Sequence, residues 1–332
     1  MSCATPTPST SPPYEPPARV ATRVEAPTSN DPVVARDGDF AVVVVRPGET
    51  YAGLAQRFLD DPGKGWWLSK FNQDEPLQPG ALVTVPLHLR NVAGVYSNGY
   101  QTVSVLCYHR FGAKGSRLNV TAAAFEAQMD FLARNGYHVV SLNQLAGFLE
   151  GREPLPPKTV VITIDDGYKS TFEVAWPILR KFGFPATVYL YTDFVGAGDA
   201  LSWAQMKDMS ASGLIEIQPH SKTHANLTLR LPGETEARYR DRIRREVEAP
   251  ISTLRDRVAT TSFSYAYPYG DVNDYVTELL AKQKVGYGVT VTSGGNAFYA
   301  YPFMLRRTMI FGNEDIDAFK AKLTTFVRMG SR

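Results

Sequence analysis

From residue 100 to the C-terminus, short apolar runs alternate with longer stretches whose apolar residues recur at three- and four-residue steps. The short runs are "TVSVLCYH", "HVVS", "TVVITI", "ATVYLY" and "IEIQPH"; between them fall "AAFEAQMDFLARNG", "LNQLAGFLEG", "TFEVAWPILRKFG" and "WAQMKDMSASG". Continuous apolar runs suit strands buried on both faces, and the periodic stretches suit amphipathic helices. Their alternation predicts βα units around a parallel sheet or barrel. A long charged helix, roughly 234–258, follows, with further strands at "FSYAYP", "YGVTVT" and "MLRRTMI".

A different order precedes this region. "FAVVVV" reads as a strand, and "RPGETYAGLAQRF" as a turn and a helix with Tyr51, Leu54, Ala55 and Phe58 on one face. "GKGWWLSKFN" reads as a second short helix and "LQPGALVTVPL" as a turn and a strand. The pattern is strand, helix, helix, strand. Residues 1–38, rich in Pro, Ser and Thr, bury too little apolar surface to fold and read as a disordered tether. The expected organisation is therefore a tether over 1–38, a small βααβ domain over 39–95 and an α/β domain over 100–332.

Composition narrows the function. Lys and Arg number 35 against 33 acidic residues, a net charge of +2, which argues against a dedicated nucleic-acid binder. No apolar run is long enough for a transmembrane helix. Of the two cysteines, Cys107 sits in an apolar run as a small buried hydrophobe and Cys3 lies far off in the tether, so no disulfide is expected between them.

The chemistry concentrates at strand ends. "VVITIDDGYKS" delivers Asp165 and Asp166 where a buried strand should stop, with Gly167 to turn the chain. In parallel α/β folds ligands bind at that end, and adjacent carboxylates there call for a counter-charge such as a divalent cation. "IEIQPHSKTHANL" supplies His220 and His224 after another strand, at a spacing that suits two imidazoles on one ion. One Asp with two His leaves coordination positions open, and the other Asp is free for proton chemistry. "FSYAYPYGDVN" adds a turn that can aim a backbone N–H at a developing oxyanion.

"TIDDGY", "HSKTH" and "AYPYG", with "LSWAQMKDMSASG" ahead of the histidines, resemble successive motifs of the polysaccharide deacetylases, carbohydrate esterase family 4 with the NodB-homology fold. "VLCYHRFG" is similar to the branch acting on poly-N-acetylglucosamine. The resemblance implies a distorted (β/α)7 barrel and metal-dependent removal of N-acetyl groups from N-acetylglucosamine polysaccharide: exopolysaccharide, peptidoglycan or a chitin-like polymer. It implies Asp165 as general base, Asp166, His220 and His224 as metal ligands, and the Tyr269 N–H in the oxyanion hole. Trp203 and Pro268 would shape the substrate groove. The ion would be Zn2+ in first place, with Co2+, Mn2+ and Ni2+ suited to the same donors.

Two departures stand out. Ala266 replaces the arginine that usually orients the base, so another group must do so here. The late Leu-x-His that supplies the general acid is missing, since "FMLRRTMIFG" has no histidine. His109, at the end of the first strand of the α/β domain, is the candidate replacement acid. These departures motivate the alternative of a catalytically impaired protein that binds cell-wall or matrix glycan.

The first domain resembles a LysM module at Val44, Pro47 to Thr50, Leu54-Ala55, Phe71-Asn72, Leu77 to Gly80 and Val85-Pro86, which implies binding to N-acetylglucosamine chains. Both resemblances imply work outside the cytoplasm, in the cell envelope or periplasm. "Ser-Cys-Ala" before a Pro/Thr/Ser tether resembles the start of a mature lipoprotein with the lipid on Cys3.

Overall fold

The computed structural model describes residues 33–88 and 91–329, and the chain divides into two compact units, 1–88 and 89–332. Cys3 and most of the expected tether lie outside the described residues.

The first unit runs β1 (Val33–Arg36), β2 (Phe40–Val44), α1 (Tyr51–Leu59), α2 (Gly65–Phe71) and β3 (Leu82–Pro86). Strands β1 and β3 flank β2, both antiparallel to it. The strand–helix–helix–strand order expected from the sequence is present, closed around buried Val43, Leu54, Trp67, Leu68 and Val85. Thr50 caps α1 by accepting from the Gly53 N–H at 3.0 Å. The Asn72 side chain joins α2 to β3, donating to the carbonyls of Leu68 and Thr84, each at 2.9 Å. Two boundaries differ from expectation. Strand β1 falls inside the stretch read as tether, because Asp37 accepts from the Asp39 and Phe40 N–H groups at 2.7 Å and turns the chain back along β2. The unit also ends at His88 rather than 95.

The second unit continues with β4 (Val95–Tyr96), β5 (Gly99–Gln101), β6 (Val103–Tyr108), β7 (Arg110–Gly112), β8 (Asn119–Thr121), α3 (Ala122–Arg134), β9 (His138–Val140), α4 (Leu142–Leu149) and β10 (Thr159–Ile164). Then come α5 (Trp176–Phe182), β11 (Ala186–Leu190), α6 (Trp203–Ala211), β12 (Ile215–Pro219), α7 (Glu236–Val258) and β13 (Ser264–Ala266). The chain closes with α8 (Asp274–Lys282), β14 (Tyr287–Val289), β15 (Gly295–Asn296), β16 (Thr308–Met309), α9 (Ile316–Ala321) and β17 (Phe326–Arg328).

Strands β12, β11, β10, β6 and β15 lie side by side, β9 adds to β10 and β16 adds to β6; all pairs but β6–β15 are parallel. Both central strands, β6 and β10, are buried at every position, as their unbroken apolar runs require. Side chains alternate between two cores: Val160, Ile162 and Ile164 join one cluster and Val161 the other. Strands β13 and β14 pair in a separate parallel sheet. Between β12 and β13 a side chain stands where ladder bonds would be. Gln218 Oε1 accepts from the Phe263 and Ser264 N–H groups at 3.1 and 3.2 Å, and its Nε2 donates to Thr261 O at 3.3 Å. The architecture is thus mixed α/β, with the C-terminal ends of β6, β10, β12 and β13 gathered around one cleft.

Candidate active site

Strand β10 ends by anchoring the Asp165 N–H to Tyr108 O at 2.9 Å. Asp166 (φ 73°) and Gly167 (φ 80°) then both adopt left-handed backbone, and a Cβ on Gly167 would stand 2.8 Å from that of Leu190. The chain turns so sharply that the neighbouring carboxylates face different partners.

Asp165 faces Arg307, just ahead of β16. The fork is bidentate: Nη1 donates to Oδ1 at 2.6 Å and Nη2 to Oδ2 at 2.7 Å. Arg307 is fully buried, Nε donating to Thr290 O at 2.9 Å and Nη1 also to Thr163 Oγ1 at 3.2 Å. Burial alone would raise the Asp165 carboxyl, but the Arg307 guanidinium, with His220 and His109, holds it well below the usual carboxylate range. Cys107 Sγ lies 3.5 Å from Oδ2, and burial pushes that thiol well above its ordinary value, so it is inert.

Asp166 faces the histidines. Its Oδ1 is buried with no hydrogen-bond partner, and stands 3.3 Å from His224 Nε2 and 3.7 Å from His220 Nε2. Two donors on one tetrahedral ion at ~2.0–2.1 Å would be about 3.3 Å apart, so the set fits a single small cation. The His220 tautomer suits this, because Nδ1–H donates to Ala266 O at 2.8 Å and leaves the Nε2 lone pair aimed at the cluster. Burial holds His220 below its ordinary pKa, the form that ligates metal. His224 is flanked by the rings of Tyr191 and Tyr269, with centroids 5.2 and 5.0 Å away.

Tyr269 sits in the Pro268–Gly270 turn after β13 at φ 63°, costly for a residue with a side chain. His109 follows β6, with Nδ1 buried and unpartnered and a ring nitrogen within 4.8 Å of an Asp165 carboxylate oxygen.

Residues 152–288 match the family profile for polysaccharide deacetylases. YxkH of Bacillus subtilis, which carries the polysaccharide deacetylase name, is 30% identical over 222 residues, 65% of this chain and 74% of its own length. The chain belongs to the polysaccharide deacetylase family. The poly-beta-1,6-N-acetyl-D-glucosamine N-deacetylase of Escherichia coli is 28% identical over 263 residues, 69% of this chain, and the chain spans 39% of that relative's length. Among solved structures, IcaB from Ammonifex degensii superposes with a TM-score of 0.61 at 25% identity, covering 68% of this chain and 98% of that one. The Streptococcus pyogenes deacetylase PplD in complex with acetate shares the fold, with a TM-score of 0.61 at 24% identity, covering 68% of this chain and 99% of that one.

In this deacetylase-family chain, a cleft of about 400 Å³ gathers Asp165, Asp166, His220, His224 and Tyr269 with His109, Tyr267, Val291, Met309 and Phe311. Two expected groove residues are not among those that line it. Trp203 opens α6, packs against the hydrophobic core and lies under the Arg257 guanidinium at 5.9 Å, because that helix turns its apolar face to the sheet. Pro268 is buried and serves to set the turn. The residue missed from sequence is Arg307. It lies beyond the matched span, in the "FMLRRTMIFG" stretch where a histidine was sought, and its only sequence signal is a pair of arginines inside an otherwise apolar run. His88, in the first unit, is exposed, and His138 is exposed and not among the residues lining the cleft.

Proposed function

We propose that this chain hydrolyses N-acetyl groups from a poly-N-acetylglucosamine polysaccharide, releasing acetate and leaving the amine on the sugar. The buried, unpartnered Asp166 Oδ1 facing two imidazoles, beside an arginine-paired Asp165, is the observation that carries the reading. Asp166, His220 and His224 would hold a divalent cation, Zn2+ first among those the donors suit, and it would supply the Lewis acidity that activates water and polarises the acetyl carbonyl. Asp165, kept ionised and oriented by Arg307, takes the proton from the attacking water. The water oxygen bonds to the acetyl carbon first, giving a tetrahedral adduct; its C–N bond then breaks as His109 returns a proton to the leaving amine. The Tyr269 backbone N–H faces the developing oxyanion. Arg307 fills the role left open by Ala266, which removes one of the two grounds for the impaired, glycan-binding alternative.

The β-1,6-linked polymer is favoured by the names of the relatives, and a location outside the cytoplasm follows from such a substrate. The distorted barrel is supported by the strand ends converging on one cleft. For the first unit, a LysM-like glycan-binding role is supported by its βααβ order; it would raise the local concentration of polymer at the catalytic unit. Lipid on Cys3 belongs to the same reading.

The test is acetate release from β-1,6- and β-1,4-linked N-acetylglucosamine oligomers, with and without a strong chelator. Chelator-sensitive release, larger on the β-1,6 oligomer, is expected. No release from either after Zn2+ or Co2+ is restored would overturn the proposal.

A further inference from the structure

We propose that Glu246, on the inward face of α7, is the positioning residue for the histidine loop and so sets the affinity of Asp166, His220 and His224 for a divalent cation. This rests on the metal reading above.

Helix α7 is charge-dense, and most of its charges form exposed pairs such as Arg240–Glu236 and Arg244–Asp241. Glu246 is the exception at 5% exposure. Its carboxylate lies against the loop between the two histidines: Oε2 accepts from the Lys222 N–H at 3.0 Å and the Thr223 N–H at 2.8 Å, and Oε1 from the Thr223 hydroxyl at 2.8 Å. Hydrogen bonds to an ionised acceptor are roughly twice as strong as neutral ones, and successive backbone N–H groups around an anion are a recurrent anchoring device.

The loop needs an anchor. Ser221 (φ 73°) and His224 (φ 64°) both hold left-handed backbone without being glycine, a strained conformation that persists only where surrounding contacts hold it. Ser221 Oγ accepts from the His224 N–H at 2.8 Å, so the turn bends back on itself to aim His224 at Asp166. The main chain of Glu246 reaches the other histidine's support. Tyr265 Oη donates to Glu246 O at 3.2 Å, and the next residue, Ala266, accepts from His220 Nδ1. One helix position therefore braces both imidazoles without touching the ligand cluster.

The test compares Zn2+ affinity, by competition with a chromophoric chelator, and the visible absorption of the Co2+-loaded full chain. Glu246→Ala should weaken Zn2+ binding about 10–100-fold, the range typical of lost outer-sphere support, and change the Co2+ bands. Glu246→Gln, which keeps an acceptor oxygen, should recover part of the loss. Glu234→Ala removes the Glu234–Arg242 pair near the start of α7; it should lower Tm without moving Zn2+ affinity. A folded Glu246→Ala chain within about twofold of wild type, or an equal loss in Glu234→Ala, would overturn the inference alone. Should Glu246→Ala not fold, Thr223→Val decides: losing one bond worth ~1 kcal/mol predicts about fivefold weaker binding, and no change beyond twofold overturns it. A wild-type chain that takes up no Zn2+ would overturn the metal reading as well.

Discussion

Replacing Arg307 with Met would leave Asp165 ionised, buried at 2% exposure and without its fork. Removing one partner of a buried pair costs about 3–5 kcal/mol, because the remaining charge keeps its desolvation penalty. At roughly 2–4 °C per kcal/mol for a unit of this size, Tm should fall by about 6–20 °C at neutral pH. The pH dependence separates this from a packing defect. In the wild type the Asp165 carboxyl is held below its unfolded value, so its stabilisation is present above ~pH 3.9 and lost as pH falls through the folded pKa. With Arg307 gone, burial is opposed only by His220 and His109 and raises that carboxyl. Ionisation then destabilises the variant as pH rises from ~3.9 towards the raised pKa. The Tm difference should therefore be widest near pH 7 and shrink as the solution is acidified. Differential scanning calorimetry in the presence of a chelator measures it free of metal linkage. Arg307→Lys, which keeps the charge but not the fork, should fall between. A difference under about 2 °C at pH 7, or one constant down to pH 4, would refute the assignment of Arg307 as the group that keeps Asp165 ionised.

Two further substitutions test the cleft. His109→Ala should lower kcat about 10²–10⁴-fold with Zn2+ affinity unchanged, and unaltered turnover would remove His109 from the mechanism. Gly288→Ala would put a Cβ 1.9 Å from Tyr267 Oη, which donates to Phe303 O at 3.0 Å. It should cost about 1–3 kcal/mol and displace the Tyr267 ring from the cleft wall, read as lower Tm together with lower kcat/KM.

Much of this was legible in the chain because the cleft residues sit just after buried strands. An apolar run announces each strand, and the polar residues that end it announce the cleft; Asp165, Asp166 and His220 obey that rule, and His224 follows later in the same loop. Arg307 escaped because its partner lies 142 residues earlier, and no local pattern reports a contact of that span. Glu246 was hidden by its neighbours, since a helix dense in Arg and Glu reads as a solvated face. Trp203 lies off the cleft lining for the opposite reason: the motif around it is local, but the direction of its ring is set by how α6 packs. The β12–β13 seam turns on one amide, Gln218, whose bonds to β13 cross more than forty residues.

The strained positions join these observations. Asp166, Ser221, His224 and Tyr269 all hold positive φ without being glycine, and all belong to the cleft or to the loop that carries its histidines. Such backbone persists only where surrounding contacts over-determine it. Here each has an identifiable hold: the Asp165 N–H on Tyr108 O ahead of Asp166, the Glu246 carboxylate under the histidine loop, and the buried Pro268 before Tyr269. The Asp166, His220 and His224 side chains are thus held near one another by the fold itself, at an energy drawn from the fully buried β6 and β10 beneath them. Metal affinity and fold stability should therefore respond separately to substitution, with Glu246 moving the first and the apolar strand positions the second.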